Sequence, residues 1–420
     1  MLSPTHRCIA VVLFALGMAL AAYPSAATAG RYERSLQPPT LSSGEGKVLR
    51  AVRRWGRSQR LRLVHDARLH LTARWYVERG DGDRTRAIDI EPLREQARRW
   101  GWTDGELSAL RLRIPSLASL APLRQLLSRR MAGRRINRVG VAVRRTGSHW
   151  DVMVLLSQQR VHLQPFAAWL PPRRDLRLRG RIDRGMFASA ARPEAIGMTL
   201  VTAAAEGASR RTPVPLSGRD FAITVGPAFL QGPRVDVQLL LDVGGGPEIA
   251  AQFPLQIGVP AWSATPVVMP PTLRSAAPAG DAMGAERRLL EAITTVRRRQ
   301  DLPVLPVDAV LAEAARSHAR DMVDNGFFAH VSPSSGDVTR RLHRRGVHFL
   351  RAWENLGQGV SVDEIFREWM LSPSHRANLL DKQARQVGIG VALVQHGEAR
   401  RLVAVCVLAQ PTAGSQAVDQ

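Results

Sequence analysis

Apolar residues in the last third of the chain recur with helical spacing, which predicts three helices followed by two apolar β runs. The three apolar faces consist of Leu289, Leu290, Ile293 and Val296; of Leu311, Ala314, Ala315, His318, Ala319, Met322 and Val323; and of Ile365, Phe366 and Trp369. Residues 387–393 and 402–408 then predict two strands around a polar turn. Helices packed on a small antiparallel sheet, an α+β fold, are the expected result.

Capping residues stand at the ends of these helical segments. Asp308 is placed to cap the second helix, and the pair Asn325-Gly326 is placed to end it. The third helix is expected to begin at the capping box formed by Ser361 and Glu364 and to end at Pro373.

Residues 170–258 alternate between apolar and polar positions, which is typical of β-strands with one buried face. The alternating sets are Leu176, Leu178 and Ile182; Phe221, Ile223 and Val225; and Val235, Val237, Leu239 and Leu241. Glycine-rich turns separate the runs, so a small β-sandwich is predicted. The segment has no cluster of charged or histidine residues, which favours a spacer or interaction module over an enzyme.

Residues 40–165 predict an α+β unit that resembles the last domain of the chain. Helices are predicted over 48–55 and 63–77, and an apolar strand over 150–156. The pattern Leu63-x-x-Asp66-x-x-Leu69-x-x-x-Ala73 parallels Leu305-x-x-Asp308-x-x-Leu311-x-x-x-Ala315, and Val139-Gly140-Val141 parallels Val387-Gly388-Ile389. We interpret 40–165 as a degenerate copy without the histidine motifs. An unrelated α+β domain is the alternative.

Two segments are expected to lie outside these domains. Residues 1–29 have the basic start, apolar core and Ala27-Thr28-Ala29 end of a secretory signal peptide, with cleavage before Gly30; a membrane anchor is the alternative. Residues 259–283 are rich in proline, alanine, serine and threonine, which predicts an extended linker. The mature protein is expected to be secreted or otherwise extracytoplasmic, without a transmembrane segment.

The formal net charge is +23, which favours anionic partners such as lipid headgroups or an envelope polymer. Codon bias of a GC-rich genome is the alternative source of the arginines. Nucleic acid is not an expected partner, because the arginines are scattered and aromatic residues make up only 5% of the chain. Cleavage of the signal peptide removes Cys8 and leaves Cys406, expected to be a buried, inert thiol.

Five motifs follow one another in register through residues 285–410. They are Leu311-x-x-Ala314-Ala315-x-x-His318-Ala319-x-Asp321-Met322, Gly326-Phe327-Phe328-Ala329-His330-x-Ser332-Pro333, Glu354-Asn355-Leu356, Trp369-Met370-x-Ser372-Pro373-Ser374-His375-Arg376-x-Asn378-Leu379-Leu380 and Val387-Gly388-Ile389-Gly390. Together they resemble the CAP superfamily (cysteine-rich secretory, antigen 5 and pathogenesis-related 1 proteins; SCP-like), in its bacterial, disulfide-free branch. The resemblance implies a CAP α-β-α sandwich at 284–410 and makes 40–165 a degenerate CAP-like domain.

The resemblance also implies a cleft lined by two histidines and two acidic residues, where some family members bind a divalent metal. His330 and His375 match the histidines, Glu354 matches one acid, and Ser372 stands where the second acid would fall. Glu368, one helical turn earlier, is considered as a substitute. The ligand-binding cleft is thus expected at His330, Glu354, Ser372 and His375, with zinc or another divalent metal on the two histidines. A purely structural hydrogen-bonded network is the alternative.

Three other polar residues in these motifs are expected to be structural. His318 lies on the buried face of its predicted helix and should have a backbone or side-chain partner. Arg376 and Asn378 should fix the loop around His375 by hydrogen bonds.

The leading hypothesis from the sequence is an exported protein that binds a lipid, an envelope polymer or a partner protein in this cleft. The first alternative is a metal-dependent, protease-like hydrolase with His330, Glu354 and His375 as catalytic candidates. The second is a structural envelope or adhesion protein. The sequence contains no G-x-S-x-G elbow, no H-E-x-x-H motif and no Cys–His nucleophile pair, so binding is favoured over catalysis.

Overall fold

The computed structural model describes residues 31–33, 36–37, 39–80, 88–131, 133–188, 196–204, 209–258, 281–396 and 399–412. The predicted signal peptide, residues 1–29, lies outside these ranges. So does the predicted linker except for its last three residues, 281–283. Among the helices in the described ranges, none is both long and apolar enough to cross a membrane.

The amino-terminal unit is a four-stranded sheet flanked by helices. After strand β1 (Arg31–Tyr32), its elements are α1 (Ser43–Ser58), β2 (Val64–His65), α2 (Ala67–Arg79), α3 (Ile90–Arg99), β3 (Leu107–Ile114), α4 (Ala121–Met131), β4 (Arg138–Thr146) and β5 (His149–Ser157). The strand order is β2-β4-β5-β3. The helix predicted over 63–77 is therefore shorter than expected. Asp66 caps α2 by accepting from the backbone N–H groups of Arg68 and Leu69, so the residues before it are extended.

The middle unit is a β-sandwich, as the alternation predicts. Its elements are β6 (Val161–Leu163), β7 (Phe166–Ala167), β8 (Trp169–Leu170), β9 (Leu176–Ile182), α5 (Arg184–Ala188), β10 (Gly197–Ala204), β11 (Ser209–Pro213), β12 (Leu216–Ser217), β13 (Asp220–Val225), β14 (Arg234–Asp242) and β15 (Pro247–Ile257). One sheet has the order β11-β10-β14-β15-β8, the other β12-β13-β9-β6. Apolar side chains from both sheets share one core. Because β6 already pairs with β9, this unit begins before residue 170.

The carboxy-terminal unit has three layers. Its elements are α6 (Ala282–Arg299), α7 (Ala309–Asp324), α8 (Val338–His343), β16 (Phe349–Gly359), α9 (Val362–Leu371), α10 (Pro373–Leu379), β17 (Gln386–His396) and β18 (Ala399–Pro411). The strand order is β16-β18-β17. Even-numbered residues of β18 from 402 to 408 pack with α6 and α9, and odd-numbered ones from 403 to 409 pack with α7. Helices therefore cover both faces of the sheet, the predicted α-β-α sandwich.

Pro373, predicted to end the third helix, is instead the first residue of the next helix, α10. The third predicted helix, α9, ends at Leu371, and Ser372 is both its last cap and the first cap of α10. Proline is well tolerated at the first position of a helix, where its missing N–H has no partner to lose. This arrangement puts His375 in the first turn of a short helix.

The first and last units share their strand order and one close backbone contact. In the first unit β2 runs parallel to β4, and in the last Val307 forms a parallel bridge with Val387 of β17. A Cβ atom on Gly140 would overlap the backbone of Leu69, and one on Gly388 would overlap the backbone of Leu311. In each unit a strand thus lies directly against a helix backbone. Common descent of the two units stays a prediction.

Replacing Gly388 with alanine should destabilise the last unit, because the new methyl group meets helix backbone that has no free direction in which to move. We expect a loss of about 1–3 kcal/mol or more in the free energy of unfolding, the usual cost of overpacking a core. Thermal unfolding of the full chain measures it. Gly226→Ala is the matched control, since a Cβ atom there has nothing within 4 Å. Equal melting temperatures for the two variants would contradict the close contact.

Candidate functional site

Three segments of the last unit bring the predicted cleft residues together. His330 lies in the loop between α7 and α8, Glu354 lies within β16, and His375 lies in the first turn of α10. The imidazole Nδ1 of His330 donates to Glu354 Oε1 over 2.8 Å. Asn355, next to Glu354, donates from its amide to the backbone oxygen of His375 over 2.9 Å. Adjacent residues of one strand therefore hold both histidine-bearing segments.

Glu354 is a buried carboxylate with both oxygens engaged. His330 donates to Oε1, and a guanidinium nitrogen of Arg341 donates to Oε2. Burial raises the pKa of Glu354, but the hydrogen bond from His330 and the charge of Arg341 outweigh it, so the pKa lies below its ordinary value. Glu354 is thus an ionised residue with its charge neutralised.

Arg341 is a site residue that the sequence reasoning missed. Its side chain is almost fully buried, and it also donates to the backbone oxygens of His330 and Gly336. It therefore connects Glu354 to the loop that carries His330. In the sequence Arg341 is one of many arginines in no recognised motif, so no local signal distinguished it.

His375 is half-buried, and its ring has no hydrogen-bond partner among the described residues. Loss of solvation, together with the charges of His330 and Arg211, lowers the pKa of His375 to about 3. Its imidazole is therefore neutral at every physiological pH. A neutral imidazole can donate from one ring nitrogen and accept at the other.

Ser372 is buried and contacts the β-sandwich. Gln238 of β14 donates to Ser372 Oγ over 3.0 Å and accepts from the backbone N–H of Ser374 over 3.2 Å. Glu368, considered from the sequence as a substitute for the missing acid, is engaged elsewhere. Arg94 of the amino-terminal unit donates to Glu368 Oε2 over 2.6 Å and holds it in an ion pair between units.

The hairpin between β14 and β15 lies over the His330 loop. The backbone oxygen of Gly245 accepts from the N–H of Val331 over 3.0 Å. A Cβ atom on Gly246 would lie 2.5 Å from the Cβ atom of His330, so only glycine permits this approach. Nearby, Gln252 donates to the backbone oxygen of Leu371 over 2.7 Å. The β-sandwich therefore packs against the segments that carry the predicted cleft residues, a contact that the sequence did not predict.

The residues expected to be structural behave as predicted. His318 is buried, and its Nε2 donates to the backbone oxygen of Ala329 over 3.0 Å, next to His330. Asn378 donates to Asn355 Oδ1 over 2.9 Å, and Arg376 donates to the backbone oxygen of Met370 over 3.3 Å. Cys406 is a buried free thiol whose pKa is raised by burial.

A metal site needs a further donor beside the two cleft imidazoles. Within the described residues, no group of three or more histidine, cysteine, aspartate or glutamate side chains is arranged to hold a metal ion. Glu354 has both oxygens engaged, so these residues do not fit a three-ligand zinc site. Binding of zinc or another divalent metal by His330 and His375 alone stays a prediction.

Arg341→Leu should remove the positive charge that compensates the buried carboxylate of Glu354. We expect a loss of about 3 kcal/mol in the free energy of unfolding at pH 7. The loss should shrink as the pH falls and Glu354 takes up a proton. Chemical denaturation between pH 4 and pH 8 measures both effects. Arg340→Leu, at the exposed neighbouring position, is the control. A loss that is equal in the two variants would contradict the role of Arg341.

His375 should make the protein less stable in mild acid. Its pKa is about 3 in the folded state and about 6.5 in the unfolded chain, so the unfolded chain binds the proton first. The contribution of His375 to the free energy of unfolding is therefore fully present above pH 6.5. It is lost as the pH falls toward 3, by about 2 kcal/mol between pH 7 and pH 5. Between pH 7 and pH 5, the free energy of unfolding measured by denaturation should therefore fall by this amount more in the wild type than in His375→Gln. Identical pH dependence in both proteins would show that His375 is well solvated.

Comparison with known proteins agrees with the geometry of the last unit. The CAP family, described as the cysteine-rich secretory protein family, matches residues 290–408. The uncharacterized protein YkwD of Bacillus subtilis is 31% identical over 106 residues, which cover 25% of this chain and 41% of that protein. The uncharacterized membrane protein YlbC of the same organism is 32% identical over 108 residues, which cover 26% of this chain and 31% of that protein. This chain spans less than half the length of either curated relative.

Among solved structures, an extracellular protein containing an SCP domain from Bacillus anthracis is similar to this chain. The sequence identity is 19% and the TM-score 0.28, with 57% of this chain and 67% of that chain covered. The family match at 290–408 includes the motifs that contain His330, Glu354 and His375. Residues 290–408 are therefore a CAP domain, a member of the cysteine-rich secretory protein family.

Proposed function

We propose that the protein is an exported binding protein whose ligand enters the cleft between the CAP domain and the β-sandwich. The observation that carries the proposal is which polar atoms at the site have hydrogen-bond partners and which do not. Glu354 is neutralised by His330 and Arg341, whereas Nε2 of His330 and both ring nitrogens of His375 have no partner among the described residues. Partly exposed, unpartnered ring nitrogens are suited to hydrogen bonding with a ligand.

The same contacts argue against Glu354 as the general base of a hydrolase. A general base needs an atom free to take a proton, and both oxygens of Glu354 are engaged while its pKa is lowered. Ser372 and Ser374 interact with each other over 3.2 Å, and no imidazole bonds to either hydroxyl in the described structure. Catalysis would therefore depend on a metal-bound water, for which the described residues supply only two imidazoles.

An exposed aromatic side chain near the site favours an amphiphilic ligand. Phe328 is 41% exposed and precedes His330 by two residues. A ligand with a hydrogen-bonding head group could contact the imidazoles while its apolar part covers Phe328. A lipid has this chemistry, whereas a purely ionic polymer lacks the apolar part. Export is supported by the predicted signal peptide and by the secretory family to which the CAP domain belongs.

A fluorescent fatty acid, 11-dansylaminoundecanoic acid, tests the proposal. The double variant His330→Ala/His375→Ala should bind this probe about tenfold more weakly than the wild type, the effect of losing one or two hydrogen bonds. Fluorescence titration of the full chain measures the affinity. The control is His343→Ala/His348→Ala, which removes two exposed histidines outside the motifs. Unchanged affinity in the first variant, or an equal loss in both, would contradict the cleft as the binding site.

A further inference from the structure

A cavity outside the cleft lies on the amino-terminal unit, where α1 ends. Its volume is about 310 Å³, and its lining residues are Arg53, Arg57, Arg60, Leu61, Arg62 and Leu63. Arg53 and Arg57 belong to α1, and the others belong to the loop that leads to β2. Four of the six lining residues are thus arginines, and the other two are apolar.

The loop that forms the cavity is held firmly against α1. The backbone N–H of Leu61 donates to the oxygen of Gly56 over 2.8 Å. A Cβ atom on Gly56 would lie 2.8 Å from Leu63 Cδ1, so glycine lets the buried Leu63 side chain pack on the helix. Arg60 has a φ of 59°, which reverses the chain direction. Arg53 Nε then donates to the backbone oxygen of Leu63 over 3.2 Å. The fold therefore fixes the loop backbone and the side chain of Arg53.

None of the four guanidinium groups forms an ion pair with a carboxylate in the described part of the chain. Arg57, Arg60 and Arg62 are exposed and Arg53 is half-buried. Other arginines of the same unit are paired, as Arg68 is with Glu33 over 2.6 Å. Arg53 and Arg57 are one helical turn apart, a spacing at which like charges repel. The partial negative charge at the carboxyl end of α1 stabilises the charge of Arg57 but not those of the other three arginines, because that effect is confined to the last turn. A bound anion would offset the remaining repulsion.

We propose that this cavity binds a phosphate-bearing anion. A guanidinium group has five N–H donors in a planar fork that pairs with two oxygens of a phosphate. A phosphate group has enough oxygens to contact several arginines at once, whereas a carboxylate has only two. Leu61 and Leu63 give the cavity an apolar wall for the carbon skeleton attached to the phosphate. A lipid headgroup and a free phosphate compound share this chemistry, and the site is independent of the histidine cleft.

Inorganic pyrophosphate is the first probe, added to the full chain at low salt in a calorimeter. We expect one site on the wild type, with an affinity at least about tenfold weaker in Arg57→Gln/Arg60→Gln. Pyrophosphate should also raise the melting temperature of the wild type and not that of the variant. The matched control is Arg298→Gln/Arg299→Gln. It removes the same charge from exposed positions at the end of α6, and these side chains do not line the cavity.

Two results would overturn the proposal. The first is an absence of pyrophosphate binding to the wild type. The second is an equal loss of affinity in both double variants, which would mean nonspecific attraction to a basic protein. Melting temperatures without ligand, compared with that of the wild type, show that the variants fold.

Vesicles of phosphatidylglycerol, compared with phosphatidylcholine, distinguish the source of the phosphate once the pyrophosphate site is established. Loss of phosphatidylglycerol binding in Arg57→Gln/Arg60→Gln alone assigns the cavity to a lipid headgroup. Equal vesicle binding by the two double variants assigns it to a free phosphate compound. Either result is consistent with the phosphate site.

Discussion

The candidate site depends on the pairing of one buried carboxylate. An ionised glutamate in the interior costs several kcal/mol unless opposite charges and hydrogen-bond donors surround it. For Glu354 these come from Arg341 and His330, and Arg341 also binds the backbone of the loop that carries His330. The charge pair thus fixes the position of the loop and the tautomer of His330, whose Nδ1 must carry the proton because a carboxylate only accepts. It also leaves Nε2 of His330 as the ring atom available to a ligand.

The proposed binding site lies at the contact between two units of the chain. The hairpin of β14 and β15 covers the His330 loop at Gly245 and Gly246, and Gln238 binds both serines that precede His375. Loss of solvation, to which the neighbouring charge of Arg211 in the sandwich adds, keeps the imidazole of His375 neutral. Under the proposed function, the sandwich contributes to ligand selection, because it contacts the segments that carry His330 and His375.

Much of the fold could be predicted because its signals are local. Helical spacing predicts α7, the caps Asp308 and Ser361 mark where helices begin, and continuous apolar runs predict strands that are covered on both faces. The motif residues of the cleft were found through resemblance to a family. Arg341, Gln238 and Gly246 were missed because their roles arise from partners far away in the chain. The ion pair of Glu368 with Arg94 could not be predicted for the same reason, since Arg94 lies in another unit.

Nitrogen-15 spectra of the histidine side chains, recorded on the full chain with and without the dansylated fatty acid, test the central claim most directly. A ligand in the shared cleft should shift the ring signals of His330 and His375. The buried His318, whose Nε2 bonds to the backbone beside His330, should keep its tautomer and serves as an internal reference. Signals of His330 and His375 that stay unchanged at saturating probe, while those of exposed histidines move, would show that the ligand binds elsewhere and would contradict the account.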